Sequence, residues 1–250
     1  MFKKIVFSVG TIFIVLLAGC SSSIDTSSFT AEEHYNYALK LYNEKDYEQA
    51  LQEFQNFILQ YPGSTYNDDA QYYLGMTYFQ REQYLLGAYE FSKLIKNIAA
   101  SPYVPEAQFM LAESYYKLSP AYQLDQAYTK KAIEEFQAFI DFFPANPKVE
   151  EAERKISELN EKLAEKEYRA AYIYERMEYQ NAAIKYYGLV ADTYHDTKYG
   201  PLALYNKIML EQNKTMTGDA LNDIAVFLSR YPKDTNAKKL QDLETQLSKK

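Results

Sequence analysis

The fold class that the sequence predicts is all-α, an α-solenoid of about five helix pairs, and three observations predict it. Small residues recur at Ala50, Gly87, Ala132, Ala182 and Ala220, each followed by large apolar residues at helical offsets. Glycine and proline are scarce, 8 of each in 250 residues, which long helices tolerate best. The aromatic content is 26 Tyr and 14 Phe with no Trp, so rings of medium size are set at regular places. Apolar residues make up 47% and charged residues 24%, a folded body rather than a disordered one.

The chain opens with Met1-Phe2-Lys3-Lys4, a basic start, and a mostly apolar stretch from Ile5 to Leu17. That stretch is shorter than the ~20 residues needed to span a bilayer, so residues 1–19 are read as a signal peptide. It ends in Leu17-Ala18-Gly19-Cys20, which resembles the lipobox of bacterial lipoproteins, with the chain's single cysteine at the position that family acylates. The resemblance implies that the mature chain begins at a lipidated Cys20 and is held on a membrane, stably once more than one acyl chain is attached. Ser21, in place of an Asp, implies the outer membrane. Residues 20–30, rich in Ser and Thr, are expected to form a flexible linker.

The repeats divide into three units over 31–147, and a long helix with two units and a capping helix over 148–250. Four residues after each small residue stand Phe54, Phe91, Phe136, Tyr186 and Ile224; seven after stand Phe57, Leu94, Phe139, Leu189 and Phe227. Offsets of four and seven share one helical face. Twelve after stand Pro62, Ala99, Pro144, Tyr194 and Pro232, where a proline ends the helix. Upstream, Tyr37-Ala38 with Leu41, Leu74-Gly75 with Tyr78, and Leu111-Ala112 with Tyr115 mark the first helix of each unit. This pattern resembles the tetratricopeptide repeat, with His34, Gln71 and Gln108 where that family has a first-helix Trp. The intervals exceed the family's ~34 residues, so turns or helices must be longer. Leu118 to Tyr122 lengthens the third unit's turn, and Lys148 to Tyr174 reads as one helix of ~40 Å. In it Val149, Ala152, Ile156, Leu159 and Leu163 form a seam for another helix, within the protein or outside it. Leu240, Leu243 and Leu247 read as a capping edge.

No motif for chemistry emerges. His34 and His195 are the only histidines and have no second ligand at helical spacing, so they are read as a packing residue and a turn residue. There is no nucleophile elbow and no phosphate loop, so no catalytic residue, metal site or cofactor is expected. Pairs such as Glu32-Glu33, Asp68-Asp69, Glu134-Glu135 and Glu150-Glu151 are read as solvated faces. The net charge is -7, and loss of Lys3 and Lys4 with the leader makes the remainder more acidic, against a nucleic-acid partner. What remains is a binding wall. In the tetratricopeptide family the first helices line the concave side, and here that side carries Tyr35 and Tyr42, Tyr72 and Phe79, Phe109 and Tyr116, with Asn43 and Gln80 between them. Tyrosine offers apolar area and a hydroxyl for little entropy, which suits an extended peptide; the alternative is that these rings pack between units.

The lipobox, five units, the long helix and the run Lys162 to Tyr168 leading to Tyr174-Glu175-Arg176 together resemble the family of outer-membrane assembly-factor lipoproteins, as does Tyr61-Pro62-Gly63-Ser64-Thr65-Tyr66. That resemblance implies a periplasmic scaffold on the outer membrane, partnering the barrel insertase, unfolded β-barrel clients and other assembly lipoproteins. It places clients on the aromatic wall and the insertase around Tyr174, Glu175 and Arg176. A tetratricopeptide lipoprotein coordinating peptidoglycan synthesis, and more distantly a wall-lytic hydrolase, are the alternatives.

Overall fold

The structure is a computed structural model that describes residues 25–249. The signal peptide and Cys20 therefore lie outside the described residues. The described residues form eleven helices in sequence: α1 (Ala31–Asn43), α2 (Tyr47–Gln60), α3 (Asn67–Gln80), α4 (Tyr84–Asn97), α5 (Val104–Leu118), α6 (Ala127–Phe142), α7 (Val149–Arg176), α8 (Gln180–Thr193), α9 (Tyr199–Asn213), α10 (Thr217–Arg230) and α11 (Ala237–Leu247). Each packs on the next. The first helices also approach one another, α1 with α3 and α7 with α9. Among the described residues no second helix meets its counterpart to that extent, which sets α1 and α3, and α7 and α9, on the inner side of the stack.

The small residues work as their spacing suggests. Ala50, Ala132 and Ala220 are fully buried, as are Phe54, Phe57, Phe91, Leu94, Phe136, Phe139, Ile224 and Phe227 at offsets four and seven. Where α3 crosses α4 the backbones nearly touch: a Cβ on Gly87 would stand 3.2 Å from the Gly75 carbonyl oxygen, and one on Gly75 would strike the Phe91 ring at 2.7 Å. A side chain at Gly75 would therefore force the Phe91 ring to shift, and one at Gly87 would press on the backbone of α3.

The fourth unit corrects the predicted register by one residue. Ala183, Tyr187 and Val190 are buried there, whereas Leu189 is 45% exposed and Ala182 and Tyr186 lie off the core face. The reason lies in the turn. Four pairs are joined by the same three-residue link, with Lys45, Glu82, Glu178 and Thr215 at φ of 64°, 59°, 63° and 58°. Each link is a Schellman motif. Asp46, Gln83, Tyr179 and Met216 donate backbone N–H to Leu41, Tyr78, Tyr174 and Glu211, and the left-handed residues themselves donate to Tyr42, Phe79, Glu175 and Gln212. The small residue lies five positions beyond the left-handed one, so Ala183 occupies that place, and Tyr179 is the cap of α8 rather than its first residue. The third unit has the expected insertion instead: Gln126 closes the loop by donating to the carbonyls of Ala121 and Leu124.

The seam of α7 is internal, with Ala152, Leu159 and Leu163 buried. The linker is not free throughout: Tyr61 donates its hydroxyl to the Phe29 carbonyl at 2.6 Å, and the Phe29 ring meets Tyr37 edge-on at 6.0 Å. Thr30 then opens α1 with a reciprocal capping box to Glu33. Leu240, Leu243 and Leu247 are buried, so α11 closes the far end.

A β-branched residue in the left-handed region is strained by about 1–2 kcal/mol. Thr215→Gly should therefore raise unfolding stability by about 1 kcal/mol in urea titration, with an unchanged helical circular dichroism spectrum.

Candidate peptide-binding edge and partner face

The predicted wall separates into two tiers. Tyr35, Tyr72 and Phe109, the first ring of each inner helix, are buried, so they belong to the core rather than to a peptide groove. The reason is a ladder of stacked side chains between units. The residue before the next unit's first helix lies on each ring: Tyr66 on Tyr35 at 5.0 Å, Tyr103 on Tyr72 at 4.7 Å, and the Lys148 ammonium over Phe109 at 4.6 Å. In the fourth unit Tyr199, the first residue of α9, meets Tyr168 at 5.3 Å. Burial pushes the Tyr35 and Tyr72 phenols upward, so they remain neutral.

The second tier is accessible. Tyr42, Phe79 and Tyr116 are half-buried at the carboxy-terminal ends of α1, α3 and α5, with Asn43 and Gln80 exposed beside them. Tyr42 meets Tyr47 and Tyr73 edge-on at 5.6 and 5.2 Å, and Phe79 meets Tyr84 at 5.1 Å. Tyr116 donates to Glu158 at 2.6 Å, and that bond, with burial second, pushes its phenol up to about 12. These side chains stand at the end of each pair where the Schellman turns lie. Leu85 and Leu86 of α4, Leu124 of the inserted loop, Ile173 of α7, and Met177 and Tyr179 of the link that follows it are exposed at the same end. The sequence reading missed these six. Their signal was there: apolar residues in turns and first helical turns, off the buried face.

The predicted partner face holds part of this edge. Tyr174 stacks on Tyr186 at 5.0 Å, half-buried; Glu175 accepts from the Tyr187 hydroxyl at 2.6 Å; Arg176 is exposed. Tyr174 and Glu175 therefore brace α8, and the accessible surface comes from Tyr172, Ile173, Arg176, Met177 and Tyr179.

Polar groups inside the rod have a structural purpose. His34, Gln71 and Gln108 are buried and hydrogen-bond to Glu53, Glu90 and Glu135 on the facing helix at 2.7, 2.6 and 2.8 Å. That is what stands in the tetratricopeptide tryptophan slot: a hydrogen bond across the pair replaces ring packing at Gln71 and Gln108, while His34 keeps both, its ring edge-on to Phe57 at 5.8 Å and Tyr61 at 5.9 Å. Asp68 and Asp69, expected on a solvated face, instead accept from Ser101 at 2.7 Å and Tyr103 at 2.8 Å, tying α3 to the turn that precedes α5. His195 sits in a turn as expected. Among the described residues no group of three metal-type ligands gathers, and no helix is long and apolar enough to cross a membrane.

A helix-pair solenoid with one apolar edge is thus the class of protein that the geometry defines. The profile of the outer membrane lipoprotein family YfiO matches residues 28–225, and the chain belongs to that family. It is similar to the outer membrane protein assembly factor BamD of Rickettsia prowazekii (strain Madrid E), 28% identical over 220 residues, covering 87% of this chain and 88% of that one. Among solved structures, a TPR repeats protein from Bacteroides fragilis NCTC 9343 aligns at TM-score 0.49 with 15% identity over 87% of this chain and 99% of that one. A thermophilic TPR protein from Thermus thermophilus aligns at 0.37 with 16% identity over 87% and 98%.

Two outcomes follow. Lys155 of α7 is buried against Glu113 of α5, while Lys117 stays 3.9 Å from that carboxylate. Lys155→Met should destabilise by about 3 kcal/mol, the low end for a broken buried pair, and a second Glu113→Leu change should recover most of it in urea titration. In the fifth unit, burial pushes the Glu211 carboxyl up to about 7, with Asp223 adding to the rise and Lys207 opposing it. The folded chain then holds a proton that the unfolded chain has lost, so stability falls as pH rises from the ordinary glutamate value of 4.5 to about 7. Glu211→Gln should flatten that fall, stabilising the chain more at about pH 8 than at about pH 5.

Proposed function

We propose that the protein is a lipid-anchored, periplasm-facing scaffold of outer-membrane β-barrel assembly. It binds unfolded outer-membrane proteins and the barrel insertase, and performs no bond-making itself. The observation that carries the reading is the apolar edge: accessible rings and aliphatic side chains repeat along one end of stacked helix pairs whose interior is already filled. Family membership, the similarity to an assembly factor and the lipobox at Cys20 support it.

A rim of half-buried rings suits an extended strand. The strand's own large side chains meet Tyr42, Phe79 and Tyr116, while Asn43 and Gln80 supply donors and acceptors for its backbone. The buried Tyr35, Tyr72 and Phe109 hold that rim in place and make no contact with the client. The insertase is assigned to the other half, at Arg176 with Ile173, Met177 and Tyr179, braced from below by Tyr174 and Glu175. Other assembly lipoproteins share the remaining surface, and the anchor supplies the membrane contact.

The test separates the two halves. Tyr42→Ala with Phe79→Ala and Tyr116→Ala should weaken binding of a carboxy-terminal β-barrel peptide by about thirtyfold, the scale of a single interface hot spot, with the helical spectrum intact. Ile173→Ala with Met177→Ala should leave peptide affinity unchanged and reduce the insertase recovered on the protein from detergent-solubilised envelope. Unchanged binding in both variants, or recovery of a cell-wall synthase in place of the insertase, overturns the reading.

A further inference from the structure

The end of the rod opposite the apolar edge has a chemistry of its own. Leu59, in the last turn of α2, is 80% exposed, the most exposed large apolar residue among those described. Its surroundings are unusual for this chain. From Gln49 to Asn67 Glu53 is the single charged residue, and its carboxylate is taken up by His34 at 2.7 Å and the Thr26 hydroxyl at 3.4 Å. The outward side of α2 beyond Glu48 thus presents Gln52, Asn56, Leu59 and Gln60, followed by Pro62, Gly63 and Thr65 in the turn. The outer helices of the other units are charged there: Lys93 and Lys96 on α4, Lys131 and Glu134 on α6, Lys185 and Asp192 on α8.

The tether emerges at this place. Asp25, Thr26 and Ser27 border a groove with Asn56, Leu59 and Gln60, and Phe29 is fixed to α1 and α2 by Tyr61 and Tyr37. Asp25 is the fifth residue after Cys20, and a fully extended chain of that length reaches at most about 18 Å. An acyl group on Cys20 therefore holds the charge-free face of α2 within about that distance of the bilayer.

We propose that this face, centred on Leu59, rests against the lipid surface and sets the direction in which the rod stands. The inference builds on the lipoprotein reading. The chain from Cys20 onward, more acidic than the full sequence at -7 because Lys3 and Lys4 are gone, would be repelled by anionic headgroups, with each nearby charge contributing about 1 kcal/mol. The approach is therefore made through the neutral side of α2, with Asp25 at its border and Glu32 and Glu33 of the first turn of α1 at the same end of the pair, and Leu59 supplies the apolar contact. The contact is made at the carboxy-terminal end of this face, by Leu59 and Gln60 with the turn that follows, so α2 stands on that end and its 14 residues set the Schellman-turn end about 20 Å further from the surface, turned toward the aqueous side.

The chain has no tryptophan, so a single introduced indole reports its own position. Full-length lipidated protein carrying Leu59→Trp is reconstituted on vesicles of phosphatidylethanolamine and phosphatidylglycerol, part of the lipid having brominated acyl chains. Leu86→Trp, exposed at the opposite end of the neighbouring unit, is the comparison. Both are surface positions, so neither change disturbs the core. Leu59→Trp should lose roughly half its fluorescence and Leu86→Trp very little, since bromine quenches at short range and reaches only an indole inserted as far as the acyl chains. If the protein floats with the vesicles but the two indoles are quenched alike, or Leu59→Trp is not quenched, the orientation is wrong and the anchor stands. If the protein does not float, the anchor itself fails and the membrane contact fails with it.

Discussion

One helix belongs to two cores, and the rod depends on it. The first half of α7 buries Ala152 and Leu159 with the second and third units, whereas its second half buries Ala164 and Ala171 with the fourth and fifth. Between Leu159 and Ala164 the apolar stripe passes from one neighbour to the other without a break in the backbone. In a stack where each pair leans on the next, such a shared helix makes the two halves one mechanical unit. The side chains that it and its cap send to α5 are charged: Lys148 to Glu106, Lys155 to Glu113, Glu158 to Tyr116. Of these only Lys155 and Glu113 are buried, and because burying a charge is costly unless it is paired, that contact favours one register of α7 against the third unit.

Within the units the same economy recurs with different residues. Where tetratricopeptide repeats set a large indole, this chain sets a short polar side chain that reaches a glutamate across the pair. The missing ring area returns at the seams between units, where Tyr66, Tyr103 and Tyr199 lie on the rings of the preceding first helix. Packing has moved from inside each pair to the joints between pairs. This explains both the excess of tyrosine and why half of the inner rings are out of reach of a ligand.

The helix pairs, the long helix, the inserted turn and the cap were legible from the residues, because each rests on a spacing of apolar side chains that water imposes. The register of the fourth unit was not. Tyr179 resembles Tyr47 as a letter, but the backbone at Glu178 turns left-handed one position later than that alignment assumes, and a glutamate gives no sign of it. The two tiers of rings were equally hidden. Tyr35 and Tyr42 look alike in sequence, and only the partner stacked on Tyr35 from the next unit separates a core ring from a rim ring. Exposed Ile173 and Met177 escaped notice because an apolar residue near a helix end is read as core unless its face is known.

The left-handed turn residues have one further consequence. Glycine would occupy those positions without strain, yet three of the four are Lys45, Glu82 and Glu178, all exposed to solvent. Each stands among the apolar side chains of the edge, as charged gatekeepers flank sticky segments elsewhere. A backbone held slightly uphill thus keeps a row of ions projecting through an apolar surface. In the scaffold proposed above, such a row leaves the edge open to other chains while discouraging copies of itself from clumping.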